Sequence, residues 1–259
     1  MKQKILKPTS SYFLSQTFWR ILRNIIGKNY WTFFYKLSQK IKIRTKLSEL
    51  RKENLSLKSN LNYPLYKQQD KKEIKNFSYY LKKHNSSKPH GDYRDYLDKI
   101  FFNLKNEVKT ILELGISQGA GILSLKDYFY NSYLWGIDID KNTFLKDKQI
   151  VKCDLADQLK IDSLKESAKK FNTKFDLVVD DGWHHPESQI NSMIAFLPYL
   201  NHNGTYIVED IVHKDYFKYF QVVKKNLEEK KFQVEYKKFN IKGSDISSEL
   251  AYLIIRRKN

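Results

Sequence analysis

The sequence predicts an α/β fold in which a doubly wound sheet follows a helical extension. From Thr110 onward, short apolar runs alternate with helical segments, which is the pattern of parallel strands joined by helices. A glycine-rich turn follows the first run, and pairs of acidic residues follow two later runs. The 259 residues are 41% hydrophobic and 15% aromatic. This is enough apolar material for one large domain plus an appendage, so disorder is excluded for most of the chain.

The extension is predicted over residues 1–84, ahead of a larger domain at 85–259. Residues 12–36 mix aromatic and basic side chains, typical of an amphipathic helix that docks either on protein or on an anionic membrane surface. From Ile43 to Leu61 the apolar positions have heptad spacing, which predicts a helix and a homo-oligomer contact. The most apolar window is too short to span a bilayer.

The net charge of +18 lies mainly at the front, because residues 1–60 hold 14 basic and 2 acidic side chains, whereas residues 111–259 hold 22 and 21. A basic front suits lipid head groups, nucleic acid or a phosphorylated substrate. Of the 47 cationic residues 40 are Lys, whereas Arg is favoured for bidentate contacts with phosphates and bases, so nucleic acid is not favoured. The single cysteine, Cys153, forms no internal disulfide. We therefore expect a cytoplasmic protein, with residues 12–36 as a candidate contact with the inner face of the membrane.

Six apolar runs are predicted as strands. They are Ile111 to Leu114, Leu134 to Ile137, Phe175 to Val179, Thr205 to Val208, Phe232 to Tyr236 and Ala251 to Ile255. Helices are predicted between them, at Gly121 to Tyr130, Ser163 to Phe171 and Pro186 to Leu200. Residues 65–110 are helical in pattern, with a polar break at His84 to Gly91.

The first strand leads into a turn that contains Gly115, Gly119 and Gly121. Glycines allow such a turn to bend tightly and to approach a ligand closely. About 25 residues later the second strand ends at Asp138, where a carboxylate can accept a hydrogen bond from a ribose hydroxyl. Together the two features predict an adenosine-containing cofactor.

Two pairs of acidic residues end later strands: Asp180 with Asp181, and Glu209 with Asp210. Neighbouring parallel strands lie about 4.8 Å apart, and ligands bind beyond their carboxyl ends. Asp181, Glu209 and Asp210 can therefore converge on one point, where they would repel one another without a cation. Such hard oxygen ligands favour Mg²⁺ or Mn²⁺.

The spacing E-x-G-x-x-x-G at Glu113, Gly115 and Gly119 resembles that of the class I S-adenosylmethionine-dependent methyltransferases. Over residues 85–259 the chain also resembles the macrocin and mycinamicin-type metal-dependent sugar O-methyltransferases. Their patterns D-D-G-S-H and G-G-x-Y-x-x-E-D correspond to Asp180 to His184 and to Asn203 to Asp210. The resemblance implies a Rossmann-like seven-stranded sheet with helices on both faces and an antiparallel last strand.

The same resemblance implies roles for individual residues. Glu113, Gly115 and Gly119 would shape the methionine pocket, Asp138 would bind the ribose, and Asp180, Lys88, His90 and Tyr93 would lie near the cofactor. Asp154 would bind the adenine amino group or, equally, cap a helix. Asp181, Glu209 and Asp210 would hold the metal, and His184 or, alternatively, His185 would take the acceptor's proton. Trp183 stands where the family has Ser.

The function implied is a metal-assisted transfer of a methyl group from S-adenosylmethionine to a sugar hydroxyl. A nucleotide-activated sugar for capsule or surface glycan would suit the basic front half. A catechol-type methyltransferase would apply the same metal chemistry to an aromatic diol. A hypothesis of another class is a membrane- or RNA-associated binding protein that uses the basic N-terminus.

Overall fold

The structure is a computed structural model that describes residues 28–55, 75–145, 147, 150–241 and 249–257. The chain divides into two compact units, residues 1–45 and residues 46–259. In the first unit the described residues belong to helix α1, which begins at Lys28 and ends in the second unit at Lys52. The second unit holds the sheet and the residues that carry chemistry.

A seven-stranded sheet with strand order 3-2-1-4-5-7-6 forms the centre of the second unit. Its strands are β1 Thr110–Leu114, β2 Tyr133–Asp138, β3 Ile150–Leu155, β4 Phe175–Asp180, β5 Leu200–Val212, β6 Phe232–Asn240 and β7 Glu249–Arg257. Strands β1 to β5 pair in parallel, whereas β7 is antiparallel to both β5 and β6. The order reverses between β1 and β4, which is where open α/β sheets bind ligands. The predicted mixed seven-stranded sheet is confirmed.

Helices alternate with the strands, and their buried faces cover the sheet. They are α2 Phe77–Lys83, α3 Asp92–Leu104, α4 Ala120–Tyr128, α5 Ile161–Phe171, α6 Pro186–Phe196 and α7 His213–Glu229. Central strands such as β1 are buried along their whole length, as parallel strands covered on both faces must be. Next to the sheet, the edge-to-face rings of Phe77, Phe101 and Tyr128 join α2, α3 and α4. Ser78 reinforces this contact, since its backbone N and its Oγ both donate to Asp98.

Local sequence explains where several helices begin and end. The Asn76 side chain accepts from the Tyr79 N–H and caps α2, and His185 caps α6, with Pro186 at the first helical position. The predicted helix from Pro186 to Leu200 ends early, at Phe196. A 3₁₀ turn that contains Pro198 follows it, and Leu200 already belongs to β5.

The end of α1 packs into the second unit. Leu50 is fully buried there and Leu47 nearly so, while the backbone carbonyls of Glu53 and Leu55 accept from Lys230 and Arg257. Leu47 and Leu50 are therefore already covered within the chain and are not available as a seam between two copies.

Several predictions for the front of the chain stay predictions. The continuous helix predicted from Ile43 to Leu61 is wrong beyond Lys52, where α1 ends, because residues 53–55 are not helical. The later heptad positions Leu57 and Leu61 lie outside the described residues. Residues 12–27 of the predicted membrane contact lie outside them too. Among the described helices, none combines the length and hydropathy needed to cross a bilayer.

Candidate active site

The turns after β1 and β4 touch at the carboxyl edge of the sheet. Gly115 has a φ of 91°, and a Cβ there would overlap the backbone carbonyl of Asp181. The Asp181 N–H donates to the carbonyl of Leu114 at 2.9 Å, and the Gly115 N–H donates to that of Ile137 at 2.8 Å. The glycine-rich turn thus lies directly against the acidic segment.

Glu113 is buried just before that turn. It is 1% exposed, and its Oε2 is buried with no hydrogen-bond partner in the described part of the chain. Burial, together with the nearby carboxylates, raises the pKa of Glu113 well above its usual value, although Lys88 opposes the shift. A Cβ at Gly121 would overlap Glu113 Oε1, so the start of α4 packs directly on the carboxylate. An unpartnered buried acid of this kind fits a cationic ligand group.

Asp138 lies at the end of β2, as predicted, and borders the glycine-rich turn. Its Oδ2 accepts from the Ser117 N–H and its Oδ1 from the Asp140 N–H, at 2.8 and 2.9 Å. The carboxylate is thereby oriented beside the turn that Gly115 opens and Gly119, with a φ of 85°, closes.

Asp181, His184 and Asp210 each offer one ligand atom, and these atoms lie within 4.8 Å of one another. His184 Nε2 is 3.3 Å from Asp181 Oδ1, and its Nδ1 is 3.8 Å from Asp210 Oδ2. Two carboxylates and an imidazole form a donor set that Mg²⁺ or Mn²⁺ accepts. This trio is the candidate metal cluster.

A β-bulge in β5 brings Asp210 into the cluster. Pairing with β7 runs regularly to Val208 and resumes at Ile211, so Glu209 and Asp210 stand opposite one residue. Asp210 has a φ of 53°, in the left-handed region. Successive side chains of a regular strand point to opposite faces, and the bulge removes that constraint. Glu209 and Asp210 can thus both serve the same end of the sheet.

The charges around His184 determine its protonation. Burial alone would lower the pKa of His184, but its contact with Asp181 and the charge of Asp210 raise it to about 9. For Asp181, burial is outweighed by the ammonium of Lys88 and by His184, which hold the pKa of that carboxyl below its usual value. At neutral pH the imidazole therefore carries a proton as long as no other cation neutralises the carboxylates.

The predicted role of Glu209 as a metal ligand stays a prediction, and in the structure this carboxylate is paired with Lys88. It is 1% exposed and accepts from the buried ammonium of Lys88, whose Nζ also donates to Asp181 Oδ2 at 2.6 Å. Burial and the neighbouring carboxylates Asp181 and Asp210 raise the pKa of Glu209, although Lys88 opposes this. Among the described residues, the trio whose ligand atoms lie within 4.8 Å of one another includes His184 and not Glu209.

The predicted cofactor contacts Lys88, His90 and Tyr93 lie at and just before the start of α3, and they stay predictions. In the structure Lys88 and Tyr93 contact the acidic cluster. The Tyr93 hydroxyl donates to Asp210 Oδ1, and its ring is buried. Arg94, which the sequence analysis missed, donates twice to the backbone carbonyl of Lys88, at 2.9 and 2.6 Å. This contact fixes the turn that presents the lysine. His90 is exposed in the same segment.

The predicted cofactor contacts of Asp180 and Asp154 stay predictions, and in the structure both carboxylates have protein partners. Asp180 is fully buried, where its Oδ1 accepts from Gln158 Nε2 at 2.8 Å and its Oδ2 lies 3.3 Å from the Tyr206 hydroxyl. Burial raises the pKa of Asp180 to about 6, although Gln158 opposes the shift. Asp154 lies within β3, accepts from Ser167 on α5 at 2.7 Å and pairs with Lys170. It does not cap α5, whose N-cap is Lys160, so the predicted cap is wrong.

His185 has a structural role. Its Nδ1 accepts from the Glu187 N–H at the start of α6, and its ring packs edge-on against Tyr216. Of the two histidines left open as the base, the structure brings His184 to the carboxylates. Trp183, between Gly182 and His184, is 66% exposed.

Comparison with known proteins gives relatives over part of the chain. No protein-family model matches. Demethylmacrocin O-methyltransferase of Streptomyces fradiae is 31% identical over 121 residues, which make up 44% of this chain and 30% of that protein. An 8-demethyl-8-alpha-L-rhamnosyl tetracenomycin-C 2'-O-methyltransferase of Streptomyces olivaceus is 30% identical over 119 residues, 43% of this chain and 31% of that protein. The chain thus spans less than a third of the length of these relatives.

Solved structures give the fold. MycE methyltransferase from the mycinamycin biosynthetic pathway, in complex with Mg and SAH, superposes with a TM-score of 0.56 and 17% identity, over 71% of this chain and 55% of that chain. A second crystal form gives a TM-score of 0.55 over 72% of this chain and 54% of that chain, at 18% identity. The second unit therefore has the Rossmann-like methyltransferase fold that the sequence predicts.

Proposed function

We propose that this chain is an S-adenosylmethionine-dependent, divalent-metal-assisted O-methyltransferase that acts on a sugar hydroxyl. The observation that carries the proposal is the convergence of Asp181, His184 and Asp210 beside the glycine-rich turn at Gly115. A metal-type donor set and a cofactor-type turn thus share one edge of one sheet. The similarity to sugar O-methyltransferases, and to a structure that holds Mg and SAH, supports it.

The charge of the site favours cationic ligands. Asp181 and Asp210 converge with Glu209 and Glu113 nearby, and the cations among them are Lys88 and the protonated His184. Carboxylates crowded in a buried site repel one another unless positive charge is added. A divalent cation at the cluster and the ammonium group of a bound methionine moiety would add it at two separate places.

The cofactor-side residues fit S-adenosylmethionine. Glu113 offers a buried carboxylate oxygen with no partner in the described structure, which suits an ammonium group. The turn from Gly115 to Gly119 allows close approach of a ligand to the backbone, and Asp138 holds acceptor oxygens beside it. These residues would bind and orient the cofactor next to the acidic segment.

The chemistry requires a hydroxyl of ordinary high pKa to become a nucleophile. A divalent cation bound at the cluster would lower the pKa of an acceptor hydroxyl. His184, once neutral, would take the acceptor's proton or hold the cation, and Asp181 would orient its ring. Tyr93 and Lys88 would keep Asp210 and Glu209 in place, so that the acceptor oxygen meets the methyl donor in a fixed geometry.

A nucleotide-activated sugar for capsule or surface glycan is the acceptor we propose, because the basic residues of the front half suit its diphosphate. One observation favours a second acceptor class, an aromatic diol. The indole of Trp183 is exposed next to the cluster and can stack on a planar ring.

Calorimetry with S-adenosylhomocysteine and then Mn²⁺ tests the proposal on the wild type, on Asp181→Ala and on a control, Asp215→Ala. Asp215 carries the same charge on an exposed turn of α7. The wild type and the control should bind both ligands, whereas Asp181→Ala should bind S-adenosylhomocysteine but not Mn²⁺. If the wild type binds neither ligand, the proposal is wrong.

Transfer of labelled methyl from S-adenosylmethionine then separates the acceptors. Labelling of a nucleotide sugar, but not of a catechol, is expected. Labelling of the catechol alone would replace the sugar by the aromatic diol and leave the metal-assisted methyl transfer standing.

A further inference from the structure

The side chain of Gln158 connects three elements next to the site. It follows β3, and its Nε2 donates to Asp180 Oδ1 at 2.8 Å and lies 2.9 Å from Ser192 Oγ on α6. Its Oε1 accepts from the backbone N–H of Trp183 at 2.6 Å. Both N–H groups and the oxygen of the amide are therefore engaged, and no other residue type offers that set in this geometry.

Gln158 is itself held in place by α6. Its backbone carbonyl accepts from Asn191 Nδ2 at 2.9 Å, and Asn191 and Ser192 are fully buried. This backbone contact, together with the three side-chain contacts, gives the amide a defined position.

The amide packs directly on the segment that carries the cluster. A Cβ at Gly182 would overlap Gln158 Oε1, which explains why glycine stands between Asp181 and Trp183. On the other side, the Ser188 hydroxyl donates to the backbone carbonyl of Trp183. The peptide units around Trp183 are thus held from both sides, and the residues next to them in the chain are Asp181 and His184.

We propose that Gln158 is a positioning residue that sets the geometry of the metal cluster by clamping the backbone between Asp181 and His184. It touches none of the three cluster side chains and acts through the Trp183 peptide. The inference rests on the proposed function, since it assigns the clamp to the metal site of that function. Loss of such an outer contact lowers metal affinity by about 10- to 100-fold in well-studied sites.

The principal variant is Gln158→Met, which keeps the side chain's length and volume but removes its hydrogen bonds. Ser192→Ala is the matched control, because it removes another partner of the same Nε2, at a fully buried position, and leaves the contact with Trp183 intact. Gly182→Ala is a second, independent variant, in which the added Cβ would displace the Gln158 amide from the Trp183 backbone.

Mn²⁺ and S-adenosylhomocysteine affinities are measured for each protein well below its unfolding temperature. We expect Gln158→Met and Gly182→Ala to weaken Mn²⁺ binding by about 10-fold or more, with nucleoside affinity within about twofold of wild type. Ser192→Ala should keep both affinities within about threefold, although it too loses stability. A purely structural role for Gln158 would move Tm in the same way in Gln158→Met and Ser192→Ala and leave the Mn²⁺ affinity unchanged in both.

The positioning role would be overturned if Gln158→Met bound Mn²⁺ as tightly as the wild type, or if Ser192→Ala lost as much Mn²⁺ affinity as Gln158→Met. Either result would leave the proposed function standing. If Gln158→Met does not fold, Gly182→Ala decides in the same way. Absence of Mn²⁺ binding by the wild type would overturn the proposed function, and this inference with it.

Discussion

Binding of a divalent cation should release about one proton from the protein near pH 7.5. Burial alone would lower the pKa of His184, but the carboxylates of Asp181 and Asp210 raise it to about 9. The pH of about 7.5 lies about 1.5 pH units below this pKa, so roughly 97% of the imidazole is protonated. It must lose the proton either to hold a cation or to act as a base. A histidine with the ordinary pKa of about 6.5 would release only about 0.1 proton.

The sign of the pH dependence follows from this competition. The proton and the cation exclude each other, so Mn²⁺ affinity should rise about tenfold per pH unit up to about pH 9 and then level off. Calorimetry in two buffers of different ionisation enthalpy counts the protons directly. His184→Gln should bind Mn²⁺ more weakly and release almost none. His185→Gln, a change in the ring that caps α6, should still release about one.

Two results would refute this reasoning. The first is a release of about 0.1 proton by the wild type, which would mean that the carboxylates do not hold a proton on His184. The second is an unchanged release in His184→Gln, which would assign the proton to another group such as Glu209, whose pKa is also raised.

Four further predictions follow from the site and the core. Glu209→Gln should keep Mn²⁺ affinity within about threefold, because Glu209 is paired with Lys88. Asp210→Asn should weaken Mn²⁺ binding about 100-fold, because Asp210 belongs to the metal cluster. Calorimetry measures both affinities. Glu113→Gln should weaken S-adenosylhomocysteine binding about 10-fold or more, again by calorimetry, and leave Mn²⁺ binding intact. Trp183→Ser should raise the acceptor KM about 10-fold in methyl-transfer assays without affecting either ligand's affinity. Leu50→Ala should lower the free energy of unfolding by about 2–5 kcal/mol, measured by denaturant titration, without a change of mass in solution.

The sheet could be predicted from the sequence because its information is local. Buried parallel strands appear as continuous apolar runs, and their acidic ends mark the carboxyl edge. The sequence therefore predicted the correct strands for Asp138, Asp181 and Asp210, and it placed all three at the carboxyl edge of the sheet. The glycine spacing from Gly115 to Gly119 was equally visible, because a left-handed backbone limits the residues that can stand there.

The partners of those side chains could not be predicted in the same way. Glu209 and Asp210 are neighbours in sequence, and no local sequence signal predicts the β-bulge between them and β7. In the structure Glu209 contacts Lys88, whereas Asp210 lies beside His184. Gln158 acts through partners 22 to 34 residues away, and Arg94 through two bonds to one backbone carbonyl. Such contacts leave no periodic pattern in the sequence.

Lys88 explains why the cluster still needs a metal although a buried cation is already present. Its Nζ binds Glu209 and one oxygen of Asp181, and the backbone turn behind it is fixed by Arg94. The ammonium therefore cannot move to Asp210, whose carboxylate is left with the Tyr93 hydroxyl and His184. A buried ion pair of this kind adds little net stability, because the cost of desolvating the two charges offsets much of their attraction. On the proposed function, positive charge is supplied by the ligands, so each ligand should stabilise the fold by an amount that rises with the logarithm of one plus its concentration over its Kd.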